Sequence, residues 1–347
     1  MKKTLLFMMI FSFSLLFAVS VNGQTDPQAQ KLIDAMQERD CAKANLLVQS
    51  VKSVNYIDAE GRSLLIYSSY FGCTDVVKFL LDKKVNIDIQ EPTGFSALMF
   101  ASQYGKTEIA KLLIDHGAKM DLMLSNGSKA IHVASESGSN DIIKLLLDKG
   151  VKVDSPDSTG ITPLIYASLC GQMETVKLLL TSGAKIDLQS LEGFTALWAA
   201  SQSGNTETAR ILLTNGAKVD LQAFDGFSPL MIACQTGQTK TAKLLLESGA
   251  KIDLMSSDGS FALLAATVNG HKDVVQLLLD HGAKIDLQAY DQFTALMIAS
   301  QFGHTEIVKL LLEKGAKADL KNKENKTAFD LAKNEDIKNL LTPYLKN

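Results

Sequence analysis

The stretch Gly303-His304-Thr305-Glu306-Ile307-Val308-Lys309-Leu310-Leu311-Leu312-Glu313-Lys314-Gly315-Ala316 decides the fold. Between its two glycines, Ile307, Val308, Leu311 and Leu312 recur at helical spacing, so the segment reads as a short amphipathic helix. Gly315 stands where such a helix needs a left-handed residue to end. Both glycines belong to series that run through the chain in steps of 33 residues. One contains Gly72, Gly105, Gly138, Gly171, Gly204, Gly237, Gly270 and Gly303, and another Gly117, Gly150, Gly183, Gly216, Gly249, Gly282 and Gly315. A third runs from Gly61 through Gly94, Gly127, Gly160, Gly193, Gly226 and Gly259, and is continued by Gln292 and Asn325. Its members follow turn-forming residues and suit a positive φ. Between this glycine and the next lies a second apolar run, Ala196, Leu197, Ala199 and Ala200 in one unit, which predicts a first, alanine-rich helix that packs closely. A turn followed by two short helices cannot bury its own apolar face, but stacked copies can.

The repeat resembles the ankyrin repeat family, whose pattern is G-x-T-P-L-H-x-A-x-x-x-G-H-x-x-[IV]-V-x-L-L-L-x-x-G-A-x-[VI]-[ND]. Gly160-Ile161-Thr162-Pro163-Leu164 and Gly226-Phe227-Ser228-Pro229-Leu230 match its start, and Gly183-Ala184-Lys185-Ile186-Asp187 matches its end. The resemblance covers about residues 30–345 and implies an all-α ankyrin-repeat solenoid. The expected organisation is an N-terminal linker and capping repeat at 24–57, eight repeats over 58–321 and a C-terminal capping repeat at 322–347. The end units depart from the pattern. Residues 31–55 lack the entering turn and carry Arg39 where a glycine recurs, while the last unit opens at Asn325 and has its second helix over 335–341. The histidine of the family's T-P-L-H occurs only as His132, and Trp198 takes its place in one unit, where it is expected to wedge between repeats.

Residues 1–23 read as a secretory signal peptide. Lys2 and Lys3 precede a run from Leu5 to Val19 that is too short for an ordinary spanning helix of about 20 residues. Cleavage is expected after Gly23, or alternatively after Ser20, with the mature protein exported to the periplasm or the extracellular space. Removal takes the formal charge from −3 to −5, against a general nucleic-acid binder. The membrane is met only through the signal segment before cleavage.

The five histidines (His116, His132, His271, His281 and His304) show no metal-ligand spacing, and no nucleophile-elbow or phosphate-loop motif occurs. The expectation is a protein that is not an enzyme, with no cofactor, no metal and no small-molecule substrate. Export makes disulfides possible. Cys41 and Cys73 both fall near the helix bends of the first two units. Adjacent units stack about 8–10 Å apart, whereas a bridge needs Cα atoms below about 7 Å. The one-residue offset and a loose end unit could close that gap. Cys170 and Cys234 are two repeats apart and read as packing residues.

The resemblance implies a protein-binding scaffold whose partner meets the turn tips and the concave face of the first helices. Of the 11 phenylalanines after the signal segment, seven fall at those positions. The candidate contact residues are Tyr70, Phe71, Phe95, Tyr104, Phe194, Phe224, Phe227, Tyr290, Phe293 and Phe302. Exposed aromatic surface of this kind marks partner sites; the alternative is that neighbouring tips pack on one another. A second function class is a self-associating structural solenoid. Lysines such as Lys185 and Lys218, each two residues before an aspartate (Asp187, Asp220), are expected to pair between repeats at about 0–1 kcal/mol each.

Overall fold

In the computed structural model the described residues are 26–344, so the segment read as a signal peptide lies outside them. Eight helix pairs follow one another in 33-residue register, from Leu64–Phe71 with Thr74–Asp82 to Ala295–Phe302 with Thr305–Glu313. The described residues hold no extended sheet; two isolated antiparallel bridges, Ile57 with Ser63 and Gln90 with Ser96, close two turns.

The fifth pair shows why the sequence folds this way. Thr195 precedes the first helix, Ala196–Ser203, and its hydroxyl accepts from the Trp198 N–H at 3.1 Å, which satisfies an otherwise orphaned donor. Ala196, Ala199 and Ala200 are buried and let neighbouring first helices approach. Ser201 is fully buried too, and its hydroxyl donates to the Leu197 carbonyl at 2.7 Å. Cys234 takes that register one repeat later and is also buried. The second helix, Thr206–Thr214, buries Thr208, Ala209 and Leu212 and turns Glu207 and Arg210 to solvent, where they pair at 3.3 Å. Buried side chains join repeat to repeat in one main apolar cluster from Ala29 to Leu341, beside a small one of Trp198, Ala223 and Ile232, as a stack of units that share their core requires.

Most of the aspartates that follow the second helices hold the units together in a way that differs from the expected ion pairing. Asp154, Asp187, Asp220 and Asp286 each accept from the backbone N–H of the lysine 31 residues on, at 2.9–3.0 Å. The ammonium groups contribute less: Lys119 and Lys284 reach Asp88 and Asp253 only at 3.8 Å. A backbone donor is fixed in space, whereas a lysine side chain must be ordered to pair.

At the N-terminal end, Pro27–Gln37 is capped by the Asp26 carboxylate and followed by Cys41–Leu47. Arg39 keeps the left-handed conformation of the glycine it replaces, at φ 60°. A disulfide joins Cys41 to Cys73 with their Cα atoms 5.1 Å apart. Cys41 is the first residue of its helix and Cys73 immediately precedes the next second helix, so the offset brings them closer than the spacing between helix axes. Cys170 and Cys234 are free thiols. At the other end Glu335–Leu341 is helical, but the helix expected before it is reduced to turns. There Asp330 accepts from both the N–H and the hydroxyl of Thr327, each at 2.8 Å, and the Lys333 N–H leaves the local chain to donate to the Ser300 carbonyl at 3.0 Å.

Candidate partner-binding surface

Each turn tip is a closed loop of about five residues that the next tip stacks upon. In the fifth repeat, the Ser190 N–H donates to the Phe194 carbonyl and the Ser190 hydroxyl accepts from the Phe194 N–H, both at 3.0 Å. The chain reverses at Gly193, whose φ is 85°. A Cβ there would lie 2.5 Å from the Phe224 backbone nitrogen, so glycine serves both the turn and the close approach of the next tip. The Leu191 N–H donates to the Thr159 carbonyl at 2.9 Å, and the Phe224 N–H donates to Glu192 at 3.1 Å, chaining three tips. Glutamines strengthen the chain. The Gln189 amide donates to the Gly193 carbonyl within its own tip and to the Gln222 carbonyl in the next, at 2.9 and 3.0 Å. Gln90, Gln222 and Gln288 repeat this two-way contact. The sequence reading missed them, although their 33-residue register was the available signal.

This geometry sorts the candidate aromatics into two groups. The residue after the turn glycine leads into the first helix and points back over its start. Phe95 is therefore buried, at 6 % exposure, and packs on Phe100 with ring centroids 5.0 Å apart. Phe194 stacks on Trp198 at 4.1 Å, and Phe227 and Phe293 are half-buried. Phe95 therefore does not stand out at an exposed tip as expected, and Phe194, Phe227 and Phe293 do so only in part, each half-buried against the scaffold. The residue at the outer corner of the tip has no such backing. Phe224 and Tyr290 are 69 % and 58 % exposed, and Leu191, on the tip next to Phe224, is 69 % exposed.

A further cluster forms at the ends of the first two first helices. Tyr70 lies edge-on to Phe71, Tyr104 and Phe100, at centroid distances of 4.6, 4.7 and 5.6 Å. Tyr70 and Phe71 are half-buried and Tyr104 is exposed. Phe302, at the matching end of the eighth first helix, is exposed beside His304. The candidates thus fall into an aromatic cluster near the N-terminal end, an apolar row on the tips and Phe302 far along the stack.

The buried polar groups are structural. His132 accepts from the Lys129 N–H through Nδ1 at 3.0 Å, which leaves Nε2–H to donate to the Ser155 carbonyl of the next tip at 2.8 Å. Burial holds this imidazole neutral and lowers its pKa to about 4. The Tyr166 hydroxyl donates to Asp157 at 2.9 Å and contacts Ser128, linking two tips. Burial pushes the Cys170 thiol up to about 12, with the nearby Glu136 carboxylate adding to the effect; a thiol so held is a poor nucleophile. Among the described residues no three His, Cys, Asp or Glu side chains gather as metal ligands, and no helix is long and apolar enough to cross a membrane.

Comparison with known proteins agrees with this architecture. The family model described as ankyrin repeats (3 copies) matches residues 32–123, 98–190, 182–256 and 248–324. No curated protein matches significantly. Among solved structures, the ankyrin repeat domain of human ASB11 is 28 % identical and superposes with a TM-score of 0.59, over 63 % of this chain and all of that one. With matching models along nearly all of the described stack, the chain belongs to the ankyrin repeat family.

Proposed function

We propose that this protein is an exported, non-enzymatic scaffold that binds another protein through its turn tips and first-helix ends. Ankyrin repeats generally mediate protein–protein interaction. The observation that carries the reading here is the apolar row on the tips: Leu191, Phe224 and Tyr290 project from rigidly chained turns and are more than half exposed. Large apolar groups held on a rigid frame lose little entropy on binding and make efficient anchors. The helices flanking the eight pairs act as caps, and the segment 1–23 directs export to the periplasm or the extracellular space before it is removed.

The test uses residues 24–347 as bait against the exported fraction of the native cell. Beside it runs a variant with Leu191, Phe224 and Tyr290 changed to Ser. A protein retained by the first bait and lost by the second, with an unchanged melting point, supports tip recognition. Sedimentation over a wide concentration range decides against the alternative, a self-associating solenoid: a monomer throughout excludes it, and a mass that rises with concentration overturns the hetero-binding reading.

A further inference from the structure

Charge is divided unequally between the two helices of each repeat. The eight first helices hold a single Asp, Glu, Lys or Arg, namely Glu136. The second helices carry two or three each, joined by ion pairs such as Lys177 with Glu174 at 2.7 Å and Lys309 with Glu306 at 2.9 Å. In all but the fifth repeat, the last turns of the first helices are left at least partly uncovered by the stack. They set Gln103, Glu136, Leu169, Gln235, Val268 and Gln301 in one register, each half-buried or exposed, with Tyr70 before them and a buried Gln202 interrupting the strip in the fifth repeat. Burial also raises the Glu136 pKa, toward the neutral form.

A charged group laid on this strip would lose its hydration and meet amides and apolar side chains, with almost no opposite charge to compensate. A polypeptide segment without charge fits better. Its apolar side chains would cover Leu169 and Val268, and its peptide groups would bond to glutamine amides, which both donate and accept. A neutral glycan would meet the amides but leave the aliphatic groups against hydroxyls. A second copy would have to meet it with its own strip, because the second helices carry charge, and a mass that rises with concentration in the sedimentation experiment above overturns the proposal in favour of that pairing.

We propose that the strip of first-helix ends is a docking surface for an uncharged polypeptide segment carrying apolar and amide side chains. The proposal rests on the scaffold reading above and names the partner's chemistry.

The test pans residues 24–347 against a displayed library of random linear peptides. Enriched peptides are expected to be depleted in Asp, Glu, Lys and Arg relative to the input library. Their affinity should change less than about twofold between low and high salt, as a contact without ion pairs requires. A Val268→Asp, Gln235→Glu double variant should bind them at least about tenfold more weakly, because a charge is left without a partner. A Leu191→Ser, Phe224→Ser variant should bind them unchanged; both variants must keep the parent's helical signal and melting point. Enriched peptides rich in charge, or peptides lost only by the tip variant, overturn the proposal and leave the scaffold reading standing. Displacement of the peptides from the strip by a neutral glucan overturns it in favour of a glycan. Failure to enrich any peptide also overturns it, and the sedimentation experiment above then decides separately whether the scaffold reading survives.

Discussion

The Asp187 carboxylate accepts a hydrogen bond from the backbone N–H of Lys218 in the next repeat, at 3.0 Å. The contact places the stabilising role of this pair on the aspartate and leaves the lysine side chain dispensable. Asp187→Ala is expected to cost about 1–2 kcal/mol, the range for a hydrogen bond to a charged group in a partly exposed site. Lys218→Ala should stay within about 0.5 kcal/mol of the parent. Urea unfolding of both variants checks the order, and equal losses would return the role to the ammonium group.

Gln292 occupies a turn position at φ 64°, where seven other repeats have glycine. The left-handed conformation costs a residue with a Cβ about 1–2 kcal/mol. Gln292→Gly is therefore expected to stabilise the protein by an amount of that order. The backbone carbonyl of Gln292 accepts from the Gln288 amide at 2.9 Å, and that bond survives the substitution. A melting temperature that is unchanged or lower counts against the strain.

His132 links stability to pH. Its folded pKa, lowered to about 4 by burial, lies below the ordinary value of 6.5, so the unfolded chain binds the proton first as pH falls. The stability that the neutral imidazole supplies is complete above about pH 6.5 and is lost progressively down to about pH 4, by roughly 3 kcal/mol in all. A His132→Gln variant lacks this titration. The difference in unfolding free energy between parent and variant, followed from pH 7 to pH 4, should shrink as the pH falls; a constant difference refutes the linkage.

Phe95 and Phe224 both lie within two residues of a turn glycine, but their truncations should differ. Phe95→Ala removes a buried ring packed on Phe100 and is expected to cost about 3–5 kcal/mol. Phe224→Ser acts on an exposed side chain and should remain within about 0.5 kcal/mol. Thermal melts of the two variants separate scaffold aromatics from candidate contacts before any partner is in hand.

The disulfide between Cys41 and Cys73 closes a loop of 32 residues that ties the first helix pair to the next. In the chain-entropy view its reduction costs about 3–4 kcal/mol. A solenoid couples mainly neighbours, so the loss should concentrate at one end. Hydrogen exchange with and without a dithiol reductant is expected to show faster exchange across 26–50, with amides beyond about residue 130 little changed. Uniform acceleration along the chain would mean that the stack unfolds as one unit.

The amino-acid sequence by itself determined the architecture, because each repeat is built from local rules stated many times over. A glycine at φ 85°, a Thr cap, a run of small residues and a Leu-rich helix, repeated every 33 residues, leave no other way to bury the apolar faces. The same register marked Gln292 and Arg39 as standing where glycine recurs, and both have a positive φ. The direction of individual side chains at the tips was decided only by tertiary structure. Phe194 and Leu191 lie three residues apart in one turn, yet Phe194 stacks on Trp198 while Leu191 points to solvent. That difference depends on where the reversed chain meets the next repeat, and hydrophobicity is the same on both sides of it. The glutamine bridges and the aspartate-to-backbone bonds belong to the same class: their partners lie 31 to 33 residues away, in contact only once the repeats have stacked.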